Sequence, residues 1–414
     1  MGIFPEDHNI RVSRLIKLWV TEGFLKPNKS HSLEEVAEDY ICDLVDRNLI
    51  SIRKLGSTGK IKTCNIHDLL RDACLRIGMR ENFLRVVRKA DSAQGLDNAH
   101  RIVFYESIPK SDHDHPVFHT LRSAHLIRSF ICEGGQLPHR FKLLRVLSSV
   151  DDDSLETIFR QVNLRHLAYE HLLLSYSRLP LSVSLLWNLQ TLIIRGSIQR
   201  ILAPRELWAM LNLRHVEIDK LCLPDPPHGQ GDVTALPNLR TLTEIMNFRW
   251  STESCSKVPN VKKLHMHVTK WIDSVENLEF PNSLVKLTLK GSRLQWEDLS
   301  VTGPEWKPVE GEFVRLKVLK IHCGELSCWD ADSCHFPVLE ELVLVDMYAL
   351  RGIPFGIGEI DTLKVIRLYY CGEPAVMSAL SIVEEQEKMG NEGLRVRVVF
   401  WDEDSLERFR SRGV

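Results

Sequence analysis

The stretch FVRLKVLKI, residues 313–321, places its apolar side chains at a spacing that recurs along most of the chain. The unit is an apolar residue, two others, Leu, two others, Leu, one other and a final apolar residue. Further copies stand at LWNLQTLII (186–194), FPVLEELVL (336–344) and IDTLKVIRL (360–368). A pattern that recurs this regularly indicates a repeat protein.

One anchor residue can be chosen in each copy of the unit, and ten anchors result. Their successive spacings run from 20 to 26 residues, with a single gap of 32. These spacings match the leucine-rich-repeat range of about 20–29 residues. The copy at 236–244 is the weakest, because Glu244 takes its last apolar position. The anchors are Leu147, Leu167, Leu192, Val216, Leu242, Leu264, Leu287, Leu319, Leu342 and Ile366.

Each copy supplies one short strand whose alternate apolar residues, such as Leu319 and Ile321, face a common core. A single unit cannot bury that face, whereas stacked units bury it together and form a parallel sheet on their concave side. We therefore predict an α/β fold in which residues 91–414 form a leucine-rich-repeat horseshoe. The repeats are clear from about residue 141.

The first ninety residues have a different pattern, that of a small helical domain. In RLIKLWVTEGFL (14–25), apolar residues share one helical face, and Gly23 marks the end of the helix. Ser32 and Glu35 form a capping-box pattern, which predicts that a second helix starts there and continues to residue 45. Charged residues fill the outer face of this second helix.

A hairpin and a third helix complete this domain. Short β-type runs flank the turn between Gly56 and Gly59. An amphipathic run follows, with Leu69 and Ile77 on its apolar face. The order helix, helix, hairpin, helix is typical of a winged-helix-like domain, which we assign to residues 1–90.

Winged helices often bind DNA through cations of the wing. Residues 1–90 hold 16 Lys and Arg against 12 Asp and Glu, a modest excess that favours a solvated wing over a nucleic-acid interface. We therefore predict no nucleic-acid partner, and a DNA-binding regulator is kept as an alternative. The wing cations are Arg53, Lys54, Lys60 and Lys62.

The residues between the anchors point out of the concave sheet and form the candidate recognition surface. This surface is polar, mixed in charge and extended, which suits a protein partner better than a small molecule. The competing interpretation, that these side chains only solubilise an exposed sheet, stays open for each of them. The candidates are His166, Arg195, Glu217, Asp219, His265, His267, Lys286, Lys290, Lys320, His322, Arg367 and Tyr369.

Two groups of side chains have the chemistry of metal ligands. HCGELSCWDADSCH (322–335) contains two His and three Cys, but their spacing is not that of a common zinc finger or ribbon. Thiols packed at a strand–loop junction are the favoured interpretation there. His265 and His267 share one strand face, but the sequence offers no evident third ligand. We therefore predict no metal site.

Composition and motifs argue against several functional classes. The net charge is −2, the ten cysteines include no Cys-x-x-Cys pair, and no apolar run is long enough to cross a bilayer. LGSTGK (55–60) lacks the spacing of a phosphate loop, and hydrolase, zinc-protease and Rossmann motifs are absent from the sequence. We expect a cytoplasmic protein that is not an enzyme and has no membrane span.

Several stretches together resemble a known family. The repeat array resembles the leucine-rich repeats of plant NLR disease-resistance proteins, and RLPLSVSLLWNLQTLIIRG (178–196) is in the style of their late blight resistance group. The resemblance covers essentially the whole chain. Four stretches are similar to the end of the NB-ARC region of that family: GIFPEDHNI (2–10), LIKLWVTEGFL (15–25), LEEVAEDYICDLVDRNLI (33–50) and IHDLLRDACLRIG (66–78).

The family's winged-helix domain ends with a Met-His-Asp motif, which the resemblance places on Ile66, His67 and Asp68. The Met is replaced here by Ile, an apolar residue of similar volume. The resemblance implies that His67 lies near the phosphate of bound ADP and helps to lock the resting state. From the sequence alone, Asp68 also complements the dipole of the helix that starts there.

The resemblance also implies a cofactor and partners. The full-length family binds ADP or ATP, whereas this chain starts inside the FPED region, so we expect an N-terminally truncated member that binds no nucleotide alone. The repeats would contact a pathogen effector or a guarded host protein and regulate the switch module, within one receptor or in trans on the NB-ARC or coiled-coil region of another. A leucine-rich-repeat substrate adaptor of a ubiquitin ligase is the alternative from another class, and the winged-helix order argues against it.

Overall fold

The computed structural model describes residues 1–400 except 29, 57, 89–95, 97, 106–119, 122, 133–140, 150–154, 171–176, 228–234, 269–278, 292–304 and 392. The chain divides into two compact units, Met1–Asp219 and Lys220–Val414. Residues 1–90 lie within the first unit, where the helix at Val12–Glu22 packs against the parallel strands at Val146–Ser149 and His166–Glu170.

The first unit begins with the predicted pair of helices. Helix α1 spans Val12–Glu22 and ends at Gly23, whose left-handed backbone (φ 76°) terminates it. Helix α2 spans Leu33–Asp46 and carries the capping box: the Ser32 side chain accepts from the Glu35 N–H, and the Glu35 carboxylate accepts from the Ser32 N–H at 2.8 Å. Both helices start and stop where the local sequence signals lie.

A three-stranded antiparallel sheet in the order β1-β3-β2 joins these helices. The predicted hairpin is its core, since β2 and β3 flank the Gly56–Gly59 turn. The strands are β1 Ile10–Arg11, β2 Ile50–Leu55 and β3 Ile61–Ile66, and helix α3 follows over Asp68–Arg80.

Helix α3 forms where predicted but does not bury the apolar face that the sequence indicated. Leu69 is 85% exposed and Ile77 is 54% exposed. The helix instead turns Arg71 inward, where its Nε donates to the Phe4 carbonyl at 2.9 Å and its Nη2 donates to the Tyr105 hydroxyl at 3.0 Å. The prediction of the buried face was wrong because an amphipathic pattern records which face is apolar, not which face the neighbouring chain covers.

The parallel strands of the first unit begin earlier than the clear repeats do. Ile102, Phe130 and Leu147 lie in register on neighbouring strands, so the ladder is already formed before residue 141. The early copies escaped the pattern because Ile and Phe occupy the anchor position. The strands are β4 Arg85–Val87, β5 Arg101–Phe104, β6 Ser129–Cys132, β7 Val146–Ser149, β8 His166–Glu170, β9 Thr191–Arg195, β10 Ile201–Leu202 and β11 His215–Cys222.

The described residues of the second unit form seven further parallel strands and a separate two-stranded ribbon, β15 with β17. Their residues are β12 Thr241–Met246, β13 Lys263–Val268, β14 Lys286–Gly291, β15 Glu305–Trp306, β16 Val318–His322, β17 Cys328–Trp329, β18 Glu341–Val345, β19 Val365–Tyr369 and β20 Arg395–Val399.

Short helical segments return the chain from one strand to the next. Among those that the structure describes, three are α-helical and three are short 3₁₀ segments preceded by proline. The helices are α4 Leu155–Phe159, α5 Thr252–Lys257 and α6 Glu373–Lys388, and the 3₁₀ turns are Leu181–Leu185, Arg205–Ala209 and Phe355–Ile357.

The ten predicted anchors form the core of the two units. Each is at most 2% exposed. Leu287, Leu319 and Leu342 lie side by side in the ladder, and Ile366 continues the row. The repeat prediction is confirmed, because the stacked strands bury together what no strand could bury alone.

The described part of the chain holds no helix that is both long and apolar enough to cross a bilayer. All ten cysteines are free thiols. Cys132 and Cys323 are 3% and 2% exposed and fill space inside the repeats, as small apolar side chains do.

Candidate functional site

The strand residues that alternate with the anchors form the outward face of the parallel sheet, and in the first unit helix α1 lies against this face. Lys17 of α1 forms an ion pair with Glu217 of β11. Lys17 is 8% exposed and Glu217 6%. Arg195, at the end of β9, pairs with the other oxygen of the same carboxylate. Two cations therefore share one buried carboxylate.

Helix α2 makes a second polar contact with the same strand. Arg214 clamps Glu34 with two hydrogen bonds, Nε to Oε1 at 2.7 Å and Nη2 to Oε2 at 2.6 Å. His215 Nε2 lies 3.3 Å from Glu34 Oε1. Burial alone would raise the pKa of Glu34, but the hydrogen bonds from His215 and Arg214 outweigh it and hold that pKa well below its usual range. The carboxylate is therefore ionised at neutral pH.

A third contact ties the end of α1 to the first strands. Arg101 of β5 donates to Glu22 from Nε, at 3.0 Å, and from Nη2, at 2.7 Å. The Ser129 hydroxyl donates to the same carboxylate. The Arg101 guanidinium also lies 4.1 Å from the centre of the Phe83 ring, a cation–π geometry. The carboxylates of Glu22, Glu34 and Glu217 are thus each paired with basic side chains. These pairs fix the orientation of helices α1 and α2 on the strands.

These contacts correct two of the predicted recognition residues. His166 is 2% exposed and Glu217 is 6% exposed, so neither presents an open surface. Asp219 accepts a hydrogen bond from the Gly196 N–H at 2.7 Å and holds a turn. The periodicity correctly put these side chains on the outward face, but no periodic signal could reveal that α1 and α2 cover it.

His166 is neutral in this buried environment. Burial, together with the nearby cations Lys17 and Arg14, lowers the pKa of His166 to about 3. Burial also lowers the pKa of His215. A protonated imidazole at either position would add a charge to a region from which water is excluded.

The residues matched to the Met-His-Asp motif occupy the junction of β3 and α3. Ile66 is 7% exposed and belongs to the winged-helix core, in register with Ile50. His67 is the residue that precedes α3, and its side chain makes no capping hydrogen bond. Asp68 opens the first turn, where its charge complements the helix dipole. His67 and Asp68 are exposed, so both are accessible from solvent.

A cavity of about 450 Å³ lies between α1, α3 and the strands β5 and β6. Its lining is mainly apolar, with side chains such as Leu18, Trp19 and Phe83. Its cation Arg101 is already bound to Glu22. This lining does not suit the phosphates of a nucleotide, which need several N–H donors or free cations.

In the second unit the outward face carries all eight of the remaining predicted recognition residues, His265, His267, Lys286, Lys290, Lys320, His322, Arg367 and Tyr369. Cations outnumber carboxylates at the alternating positions of β13 to β20, and Glu244 and Asp346 place further carboxylates beside the histidines of this face. Among the described alternating positions of these six strands, Glu341 is the one carboxylate. The cations are Lys263, Lys286, Lys290, Lys320, Arg367, Arg395 and Arg397.

Polar contacts organise part of this basic face. Arg367 Nε lies 2.7 Å from Glu341 Oε1. His322 Nε2 lies 2.6 Å from Asp346 Oδ2. Burial, aided by Lys290 and Lys320, lowers the pKa of His322 even though Asp346 opposes the shift.

Two clusters of side chains with metal-ligand chemistry also appear in the second unit. Glu244 lies between His265 and His267 and is the third ligand group that was not evident from the sequence. It is also the residue that takes the last apolar position of the weakest copy, 236–244. The other cluster, Asp332, Cys334 and His335, lies within four residues of one exposed loop. Cys334 donates to Asp332 there, as part of a local turn.

We predict that His166→Gln flattens the pH dependence of stability. The folded-state pKa is lowered from 6.5 to about 3, so between these values the unfolded chain binds the extra proton and wild-type stability falls as pH drops. From pH 7 to pH 5 the free energy of unfolding should therefore fall by about 2 kcal/mol less in the variant than in the wild type. The measurement is the free energy of unfolding in urea at each pH. Equal pH slopes in the two proteins would contradict the assignment.

We also predict strong coupling between Glu34 and Arg214. Glu34→Met alone leaves a buried guanidinium without its carboxylate and should cost about 3–5 kcal/mol, whereas adding Arg214→Met should restore much of that loss. A double-mutant cycle on the free energy of unfolding measures the coupling. The exposed pair Asp43–Arg47 on α2 is the matched control and should contribute at most about 0.5 kcal/mol. Equal coupling in the two pairs would refute the proposed role of burial.

The chain is similar to several known proteins. Residues 3–74 match the family model described as Disease resistance protein Winged helix domain. A putative late blight resistance protein homologue of Solanum demissum is 29% identical over 461 residues, which cover 93% of this chain and 34% of that protein. A late blight resistance protein of the same species is 29% identical over 93% of this chain and 35% of its own length. Among solved structures, a leucine-rich-repeat protein of Leptospira interrogans covers 78% of this chain and 98% of that chain, with a TM-score of 0.42 and 14% identity.

The chain spans about a third of the length of these two plant relatives. The matched family model covers helices α1 and α2, the hairpin and the start of α3, and the relatives align with 93% of the chain. The ten buried anchors and their parallel register describe a leucine-rich-repeat solenoid independently of any alignment. The chain is therefore similar to the late blight resistance proteins over most of its length, with residues that match a disease-resistance winged-helix domain followed by a leucine-rich-repeat-like solenoid.

Proposed function

We propose that this chain is the regulatory and sensing part of a plant immune receptor and acts by binding rather than by catalysis. The observation that carries the proposal is the basic outward face of the second unit, where seven cations stand against Glu341 on six neighbouring strands. The names of its relatives support a role in disease resistance. We expect it to act in the cytosol, where its ten free thiols stay reduced.

The partner that fits this face is a protein with an acidic surface, either a pathogen effector or a host protein that the receptor guards. Neighbouring strands lie about 4.8 Å apart, so the cations form an extended field rather than a single pocket. Complementary charge over such an area speeds association and rejects basic competitors. The half-buried Tyr369 adds an aromatic contact within the same face.

The winged helix provides the link to a switch. In a receptor that also carries a nucleotide module, the paired contacts Glu34–Arg214 and Lys17–Glu217 would hold the winged helix in one orientation. Partner binding would shift the equilibrium between ADP- and ATP-bound states only if it favoured one orientation over the other. His67 would act in that setting as the contact to the phosphate of ADP. Repeats acting in trans on a related receptor would use the same surfaces.

We predict that Lys290→Glu combined with Lys320→Glu abolishes partner binding. Two charge reversals on an acidic interface should weaken affinity by well over tenfold. Binding of candidate effectors to the purified chain, measured by biolayer interferometry at several salt concentrations, tests this. Lys388→Glu on helix α6 is the control and should bind as the wild type does. A partner that the double variant binds with unchanged affinity would contradict the proposed face, and binding that nuclease treatment removes would indicate a nucleic acid instead.

We predict a different outcome for His67→Ala. In this chain the exposed side chain makes no capping bond, so the free energy of unfolding should change by less than about 0.5 kcal/mol. In a receptor that carries the nucleotide module, the same change should weaken ADP retention and raise signalling without a partner. Arg76→Ala, on the exposed part of α3, is the control. Unchanged nucleotide retention and signalling in that receptor would exclude the phosphate contact.

A further inference from the structure

The weakest repeat contains an irregularity in its strand. Strands β12 and β13 pair in parallel with Leu242 opposite Leu264, but the register shifts by one residue before Ile245, which lies opposite Met266. One extra residue is therefore accommodated in β12. Glu244 takes up this bulge with a left-handed backbone, φ 64°. Bulges of this kind redirect a side chain within a sheet.

The redirected carboxylate lies between two imidazoles of the next strand. Glu244 Oε1 is 2.9 Å from His265 Nδ1, and its Oε2 contacts His267 Nε2. The two rings stack with their centres 5.1 Å apart and their planes 18° from parallel. The carboxylate oxygen and the two ring nitrogens all lie within 4.8 Å of one another. Three donor atoms thus converge on one small volume.

The backbone at Glu244 belongs to the same bulge. Its positive φ is shared by seven other non-glycine residues among those that the structure describes, including Lys220, Asn247 and Tyr370. The conformation therefore explains how the carboxylate is turned toward β13, and the convergence of the three side chains is what indicates a ligand site.

We propose that Glu244, His265 and His267 bind a divalent transition-metal ion, and that the ion is zinc. Two imidazole nitrogens and one carboxylate oxygen are a standard donor set for zinc, with bond lengths of about 2.0–2.2 Å. A tetrahedral site of that size has ligand atoms about 3.3 Å apart, so the two imidazole nitrogens would have to move slightly away from the carboxylate, while all the ligand atoms already lie within 4.8 Å of one another. Magnesium and calcium prefer all-oxygen ligands and do not fit this set.

The electrostatics allow such an ion to bind. The carboxylate of Glu244 contacts both imidazoles and supplies the anionic ligand of the triad. The side chains are 28%, 22% and 17% exposed for Glu244, His265 and His267, so an ion can enter from solvent. The fourth position is left for water. Lys290 lies beside His267 in the ladder, and its charge makes the site weaker than an isolated one.

The competing account is a carboxylate that only accepts hydrogen bonds from two imidazoles. That arrangement also orders the three side chains but selects no metal. The two accounts differ in whether the chain binds zinc tightly and through which atoms. Both are independent of any protein partner, so the proposal stands apart from the proposed immune function.

The test uses the full chain carrying Cys334→Ser, which removes the thiol from the exposed cluster of Asp332, Cys334 and His335. Isothermal titration calorimetry with zinc alone should show about one equivalent bound, and cobalt should give the visible absorption of a tetrahedral site without thiolate. Glu244→Gln and His267→Asn should each weaken zinc binding by at least about tenfold. His322→Asn, which removes an outward-facing imidazole outside the triad, should leave the affinity unchanged.

Zinc X-ray absorption on the same Cys334→Ser chain, loaded with one equivalent of zinc, needs no substitution within the triad and guards against triad variants that misfold. The expected shell contains nitrogen and oxygen with the signature of two imidazoles and no sulfur. Binding that survives all the triad substitutions, a shell that contains sulfur, or no binding of zinc by the folded chain would each overturn the proposal.

Discussion

Each repeat strand has an apolar face that it cannot bury alone, and this constraint determines the rest of the structure. Stacking satisfies it only if the anchors of neighbouring strands meet in register, as Leu287, Leu319 and Leu342 do. Once the anchors are aligned, the alternating residues must line up on the opposite face, because side chains in a strand alternate with a period of two. The alignment of the cations in the second unit therefore follows from how the core is packed.

The first unit uses the same face for a different purpose. There the outward residues His166 and Glu217 are covered by the winged helix. The contact depends on buried ion pairs, and such pairs contribute more to orientation than to stability, since desolvation offsets most of the Coulomb attraction. A bidentate pair such as Glu34–Arg214 tolerates little rotation. An interface built in this way defines one orientation well and can still be released, which suits a regulatory contact.

The sequence predicted local structure better than it predicted contacts between elements. The anchors, the Ser32 capping box and the Gly23 helix end could be identified because each signal lies within a few residues of its effect. The buried face of α3 was predicted wrongly, since what covers a helix is decided by distant residues such as Phe4. The covering of His166 was missed for the same reason. No local pattern records that α1 returns to the sheet about 150 residues away in sequence.

Glu244 shows how a departure from a repeat can carry more information than the repeat itself. In the sequence this carboxylate is a departure from the pattern of one copy, and His265 and His267 have no evident third ligand. In the structure this departure and the histidine pair are one feature, because the bulge that the extra residue creates turns Glu244 toward the next strand. A divalent ion bound there would carry more positive charge than the Glu244 carboxylate neutralises. It would therefore add net positive charge to a face that already holds an excess of cations. The metal site and the cationic ladder would then reinforce each other in attracting an acidic protein.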